Sequence, residues 1–122
     1  MDVSNTREPG IMSDVLNAIA SVIETRKKAD PDTSYVASLN AAGLDKMLEK
    51  VGEEAIEVIL AAKNAADSDK HRVEVINEVA DLVFHTLVML DRLGISHNAV
   101  LETLASRQGI SGLEEKASRN HS

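Results

Sequence analysis

Two stretches of this 122-residue chain set carboxylates inside apolar runs: Glu53, Glu54 and Glu57 within EKVGEEAIEVILAA, and Glu78 and Asp81 within EVINEVADLVFHTLVML. On a wheel at ~100° per residue, Lys46, Lys50, Glu53, Glu54 and Glu57 fall within an arc of about 100°, and Glu74, Glu78, Asp81, His85 and Arg92 within about 60°. Apolar residues fill most of both remainders. Each stretch therefore predicts a helix with a narrow charged stripe and a wide apolar girth, the reverse of an ordinary surface helix. If both stripes turn toward one cleft, Glu54, Glu57, Glu78 and Asp81 converge. Two carboxylates ~4 Å apart repel by about 4 kcal/mol at an effective dielectric of about 20, so such a cluster takes up protons or holds cations. All-oxygen donors suit magnesium, with manganese as a substitute.

Plainer readings stand beside this one. A single Glu-x-x-Glu is common on solvated helices, where lysines neutralise it. Two such pairs on neighbouring buried helices are a stronger signal. A carboxylate-bridged di-iron bundle expects Glu-x-x-His on two helices, and the chain has no such pair. His85, one turn beyond Asp81, reads first as a hydrogen-bonded helix histidine, and His71 and His97 as ordinary residues near helix starts.

The elements that must position these residues follow from caps and periodicity. A first helix is expected from Met12 to Lys28, with Val15, Leu16, Ile19, Val22 and Ile23 on its apolar face. The connector holds Pro31, then Ser34 as the cap of a short helix that Gly43 closes. A long helix is expected from Leu44 to Ala65, and ADSDK supplies a turn and a new cap in Ser68 or Asp69. The next helix runs to Leu93, where Gly94 stops it, and the short turn makes the two long helices antiparallel neighbours. Ser96 caps a last helix that ends at Gly109. Residues 1–11 read as a flexible tail, 12–110 as one all-helical domain, and 111–122 as a polar tail. The expected fold is a compact all-α bundle of four to five helices around a long antiparallel pair. The wide apolar girth of that pair in so short a chain points to a homodimer formed through apolar faces.

Composition narrows the function. The chain is 43% hydrophobic with one Tyr, one Phe and no Trp, and its formal charge is −7. That charge argues against nucleic acid, which needs positive potential over the contact surface; a phosphate-rich ligand would need metal cations as intermediaries. Without cysteine there are no disulfides or thiolate metal sites. The start MDVSNTREPG lacks the pattern of a signal peptide and no apolar run approaches a membrane span, so no membrane and a cytoplasmic setting are expected.

The pairs Glu54-x-x-Glu57 and Glu78-x-x-Asp81, one on each of two consecutive helices, resemble the MazG-type all-alpha NTP pyrophosphatase superfamily. SYVASLNAAGLDKMLEKVGEEAIEVILAAK, followed by EVADLVFHTLVML and the ending SGLEEKASR, resembles more specifically the phosphoribosyl-ATP pyrophosphatase family of histidine biosynthesis. Val36 and Glu49 depart from the pattern, where Thr and often Lys are expected, and neither touches the acidic pairs. The resemblance implies hydrolysis of phosphoribosyl-ATP to phosphoribosyl-AMP and pyrophosphate, a magnesium requirement and an all-alpha dimer. It makes Glu54, Glu57, Glu78 and Asp81 the metal ligands, sets Lys46 and Lys50 toward the phosphates, and offers Glu53 as a supporting group or base. Water would attack the alpha phosphorus, metal offsetting the charge that develops on the leaving pyrophosphate. Lys46 and Lys50 could equally be counterions of Glu53 and Glu54. Arg26, Arg107, Lys116 and Arg119 remain for the substrate's separate ribose phosphate, with helix-dipole complementation the first reading of Arg26 and Arg107. The alternatives are a house-cleaning pyrophosphatase of the same superfamily acting on another nucleoside triphosphate, and a non-catalytic helical dimerisation module.

Overall fold

A computed structural model describes residues 3–66 and 68–108, with side chains from residue 14 onward. Five helices follow one another: α1 (Val3–Arg26), α2 (Tyr35–Ala42), α3 (Leu44–Lys63), α4 (Asp69–Leu93) and α5 (His97–Ser106). No strand occurs among the described residues, so the expected all-helical class holds.

Local chemistry explains most boundaries. Ser34, Ser68 and Ser96 are all N-caps, their side-chain oxygens accepting from the backbone N–H of Ala37, His71 and Asn98. Each satisfies an amide that the first helical turn leaves unpaired. Gly43 ends α2 at φ 98° and Gly94 ends α4 at φ 71°, backbone conformations that favour glycine. The α3 helix stops at Lys63, two residues before the expected Ala65, because Asn64 and Ala65 already donate to the carbonyls of Ala61 and Ala62 in a tightened last turn. The bound of α1 at Val3 precedes the expected Met12. Proline's φ near −65° suits a helix, so the backbone runs through Pro9 at the loss of one hydrogen bond. The expected stop at Gly109 lies outside the described residues.

The α3 and α4 helices form the dominant packed pair, with α1 laid against α4 and α2 against α3. Where these layers meet, Ile23 of α1, Val36 and Leu39 of α2, Met47 of α3, and Leu87 and Val88 of α4 form the buried core. Lys27, just past α1, donates to Glu24 at 2.9 Å and to Asp91 of α4 at 3.3 Å, tying the end of α1 to the last turns of α4. Asn40 of α2 donates to the Lys27 carbonyl at 3.1 Å, which holds the same corner from the other side. His97 joins α5 to α1 through Asn17 Oδ1 at 2.8 Å. Among the described residues the far half of the α3·α4 pair receives no such cover. Ile56, Ile59, Leu60, Val73 and Ile76 are each at least half exposed in the single chain. No described helix is long and apolar enough to cross a membrane.

Candidate metal centre

Antiparallel packing of α3 on α4 brings the two acidic pairs to one place. Carboxylate oxygens of Glu54, Glu78 and Asp81 lie within 4.8 Å of one another, a spacing at which one cation can be shared. Glu54 is the most enclosed of the acids on α3, its side chain only 13% exposed. Glu57, one turn further along α3, lines a groove with Leu60, Glu74 and Glu78. Three of the four expected ligands thus form a tight group and the fourth flanks it. Glu74, read from the sequence only as part of the stripe, belongs to this acidic groove.

Electrostatics records the crowding. The Glu78 carboxyl is pushed above the usual carboxylate range, first by desolvation and then by the charges of Asp81, Glu54 and Glu57. Around Glu54 the charge is partly offset: Lys50 Nζ lies 3.6 Å from Glu54 Oε1 and 3.1 Å from Glu53 Oε2. The hydrogen bond from Lys50 holds Glu53 below its ordinary value and raises the lysine in turn. Lys46 pairs with Glu49 at 3.4 Å, so the unusual acid at that position takes up the lysine nearest the start of the stripe. Both lysines therefore have partners on their own helix.

A hydrogen-bonded aromatic group borders the cluster. His85 Nδ1 lies 2.7 Å from the carbonyl oxygen of Asp81, which can only accept, so the ring carries its proton there. The other nitrogen, Nε2, lies 2.7 Å from the Tyr35 hydroxyl, and in the neutral ring it accepts that proton. His85 is buried, as a hydrogen-bonded helix histidine should be. Phe84 completes the group, its ring offset-stacked on Tyr35 with centroids 6.3 Å apart and edge-on to His85 at 5.3 Å. Burial raises the Tyr35 phenol, while Lys50 and Lys46 act to lower it and Glu54 and Asp81 to raise it further. Tyr35 therefore stands at the edge of the charged site, a place that nothing in its local sequence indicates.

Among the expected phosphate contacts, Arg26 is the last residue of α1 and lines a cavity beside Tyr35 and Phe84. Arg107 flanks the end of α5. Lys116 and Arg119 lie outside the described residues.

A family model described as phosphoribosyl-ATP pyrophosphohydrolase matches residues 16–108. The chain belongs to that family. The match spans both acidic helices and the short helix that opens with Tyr35, and it makes the chain a hydrolase. The carboxylate group is thus the cluster of charge on the central helix pair of a phosphoribosyl-ATP pyrophosphohydrolase-family enzyme.

The donor set fits a hard divalent cation: three carboxylates from two rigid helices, no sulfur and no ring nitrogen in the group. The sign of the Glu78 shift supports the same fit. A carboxyl raised above its unfolded value binds its proton more tightly in the folded state, so its contribution to stability falls as pH rises from the ordinary carboxylate range through the raised value. Neutralising the charge relieves that repulsion. Glu78→Gln should therefore melt at a higher temperature than wild type at neutral pH in chelator, and should gain less stability than wild type when magnesium is added. Thermal melts with magnesium and with chelator, in acid and at neutral pH, check this; an E78Q variant that melts like wild type under all four conditions would contradict it.

Proposed function

We propose that the chain hydrolyses phosphoribosyl-ATP to phosphoribosyl-AMP and pyrophosphate, the second step of histidine biosynthesis, with a magnesium-loaded carboxylate site between α3 and α4. The observation that carries this reading is the convergence of Glu54, Glu78 and Asp81 within 4.8 Å in a chain of this family. Those three residues would hold the cation, with Glu57 one turn away offering a further oxygen. When bound, magnesium supplies positive charge against the leaving pyrophosphate and lowers the pKa of the attacking water.

The protein's own groups do the rest. Water attacks the alpha phosphorus, the bond to the bridging oxygen breaks, and pyrophosphate leaves with that electron pair; the proton lost by the water passes to a carboxylate of the cluster. Glu53, beside the cluster, is a weaker base than Glu78, because Lys50 lowers the one while desolvation and neighbouring acids raise the other. Its role in this reading is to keep Lys50 beside Glu54. Lys50 and Lys46 exchange their helix partners for phosphate oxygens when the triphosphate enters, since a polyphosphate offers more charge than one carboxylate. No side-chain nucleophile is needed.

The exposed apolar residues of α3 and α4 belong to the same reading. Ile56, Ile59, Leu60, Val73 and Ile76 are large apolar side chains left exposed on the two central helices, and a two-fold dimer that covers them would shield the open half of the helix pair. Sedimentation equilibrium in the micromolar range should give a dimer mass, and a monomer at all concentrations would remove this part of the proposal.

The activity is tested by pyrophosphate release from phosphoribosyl-ATP and from a panel of ordinary nucleoside triphosphates, with magnesium and with chelator. Fast release from phosphoribosyl-ATP alone, abolished by chelator and reduced on the order of a hundredfold or more in Glu57→Gln and Glu54→Gln, is expected. Release from a common triphosphate instead would keep the chemistry and overturn the substrate. Wild-type rates in both variants would overturn the ligand assignment.

A further inference from the structure

Phosphoribosyl-ATP carries anionic groups at two ends: a triphosphate on one ribose, and a single phosphate on a second ribose attached to the adenine. The carboxylates between α3 and α4 repel both ends unless a cation intervenes. The phosphoribosyl end therefore needs a site of its own, within one molecule's length of the first and with a positive side chain.

Beside the aromatic group lies a cavity of about 360 Å³, lined by Val22 and Arg26 of α1, Thr33 and Ser34 of the connector, and Tyr35 and Phe84. We propose that this cavity holds the phosphoribosyl end of the substrate, with adenine against the Tyr35 ring and the ribose phosphate on Arg26. This rests on the phosphoribosyl-ATP reading and adds to it the place where the second ribose goes.

Three observations support the placement. Arg26 is the only charged residue in the cavity lining, and it forms no ion pair among the described residues. A guanidinium suits a phosphate, which it can grip with two parallel hydrogen bonds. Tyr35 belongs to both places: it lines the cavity, and it feels the charges of Lys50, Glu54, Lys46 and Asp81 at the carboxylate site. An adenine laid along Tyr35 would thus have its triphosphate side toward the acidic cluster and its phosphoribosyl side toward Arg26, the order in which the substrate itself is built. Finally, the ring is fixed in place. Its hydroxyl is held by His85 at 2.7 Å, and His85 is held in turn by the Asp81 carbonyl, so the platform is tied to the turn of α4 that carries one of the acids. The Ser34 hydroxyl, whose oxygen already accepts from Ala37 N at 3.2 Å, keeps its own proton to donate to a phosphate or ribose oxygen.

The plainer role for Arg26 is to complement the dipole at the end of α1. That role would alter stability but not the choice between ligands. The test is calorimetric binding of phosphoribosyl-AMP and of AMP in chelator, to wild type, Arg26→Ala and Tyr35→Leu; neither ligand carries the pyrophosphate that would call for a cation. Wild type should bind phosphoribosyl-AMP roughly ten- to a hundredfold more tightly than AMP, the range of a charge-assisted hydrogen-bond pair. Arg26→Ala should remove most of that preference, and Tyr35→Leu should weaken both ligands. Arg26 is exposed, so its truncation leaves the core untouched. Pyrophosphate release from phosphoribosyl-ATP by the same wild-type preparation separates the outcomes. Release together with an undiminished preference in Arg26→Ala overturns the cavity alone, whereas no release and no preference in wild type overturns both the cavity and the function.

Discussion

Repulsion among carboxylates forced together by helix packing is the constraint on which the rest of this structure turns. Glu54 on α3 faces Glu78 and Asp81 on α4, so the packing of those two helices, the most extensive among the described residues, sets the acids side by side. The apolar girth that drives them together therefore also concentrates negative charge. Lys50 offsets part of it, and Glu78 records the remainder in its raised pKa. A site of this kind is preorganised for a cation, since the unfavourable approach of the acids is met by folding and not by the ligand. A cation held there would let a chain with a net charge of −7 meet a polyphosphate.

The connector and α2 supply what two acidic helices alone lack. Ser34 starts α2 so that Tyr35 is its first residue, and the short helix then buries Val36 and Leu39 in the core. Burial on that side turns Tyr35 toward α4, where His85 receives its hydroxyl. The link from the Asp81 carbonyl through His85 to Tyr35 joins α4 to α2 across 50 residues of chain. The same short helix leaves Gly43 as its end and as the flank of α3, so the position of Lys46 and Lys50 depends on the same turn.

What was legible in the sequence was whatever local chemistry decides. The caps Ser34 and Ser96 and two glycine stops could be read directly, and a third cap down to Ser68 or Asp69, because each depends on residues within one turn. The stripe on each long helix was legible from periodicity, and so was the meeting of Glu54 with Glu78 and Asp81 once the turn made the helices antiparallel. The offset of Glu57 toward Glu74 was not, because it depends on how far one helix is shifted along the other, a quantity set by side-chain interdigitation. The start of α1 was hidden by Pro9 and Gly10, whose local signals speak for a break. Tyr35 and Phe84 are the sequence's only Tyr and Phe, and nothing local to either marks it for a role. The place of Tyr35 beside the acids and against Phe84 comes from contacts between α2 and α4, and no spacing along the chain encodes those.

The central claim is that the two acidic turns of α3 and α4 act together as one divalent-cation site. Titration of the isotope-labelled protein with manganese, followed by amide NMR, tests it most directly, because the paramagnetic ion broadens signals according to their distance from it. Loss centred on Glu54, Glu78 and Asp81 is expected at substoichiometric manganese, reversed by excess magnesium and absent in Glu78→Gln. Broadening spread evenly over the acidic surface, or centred away from these three residues, would contradict it.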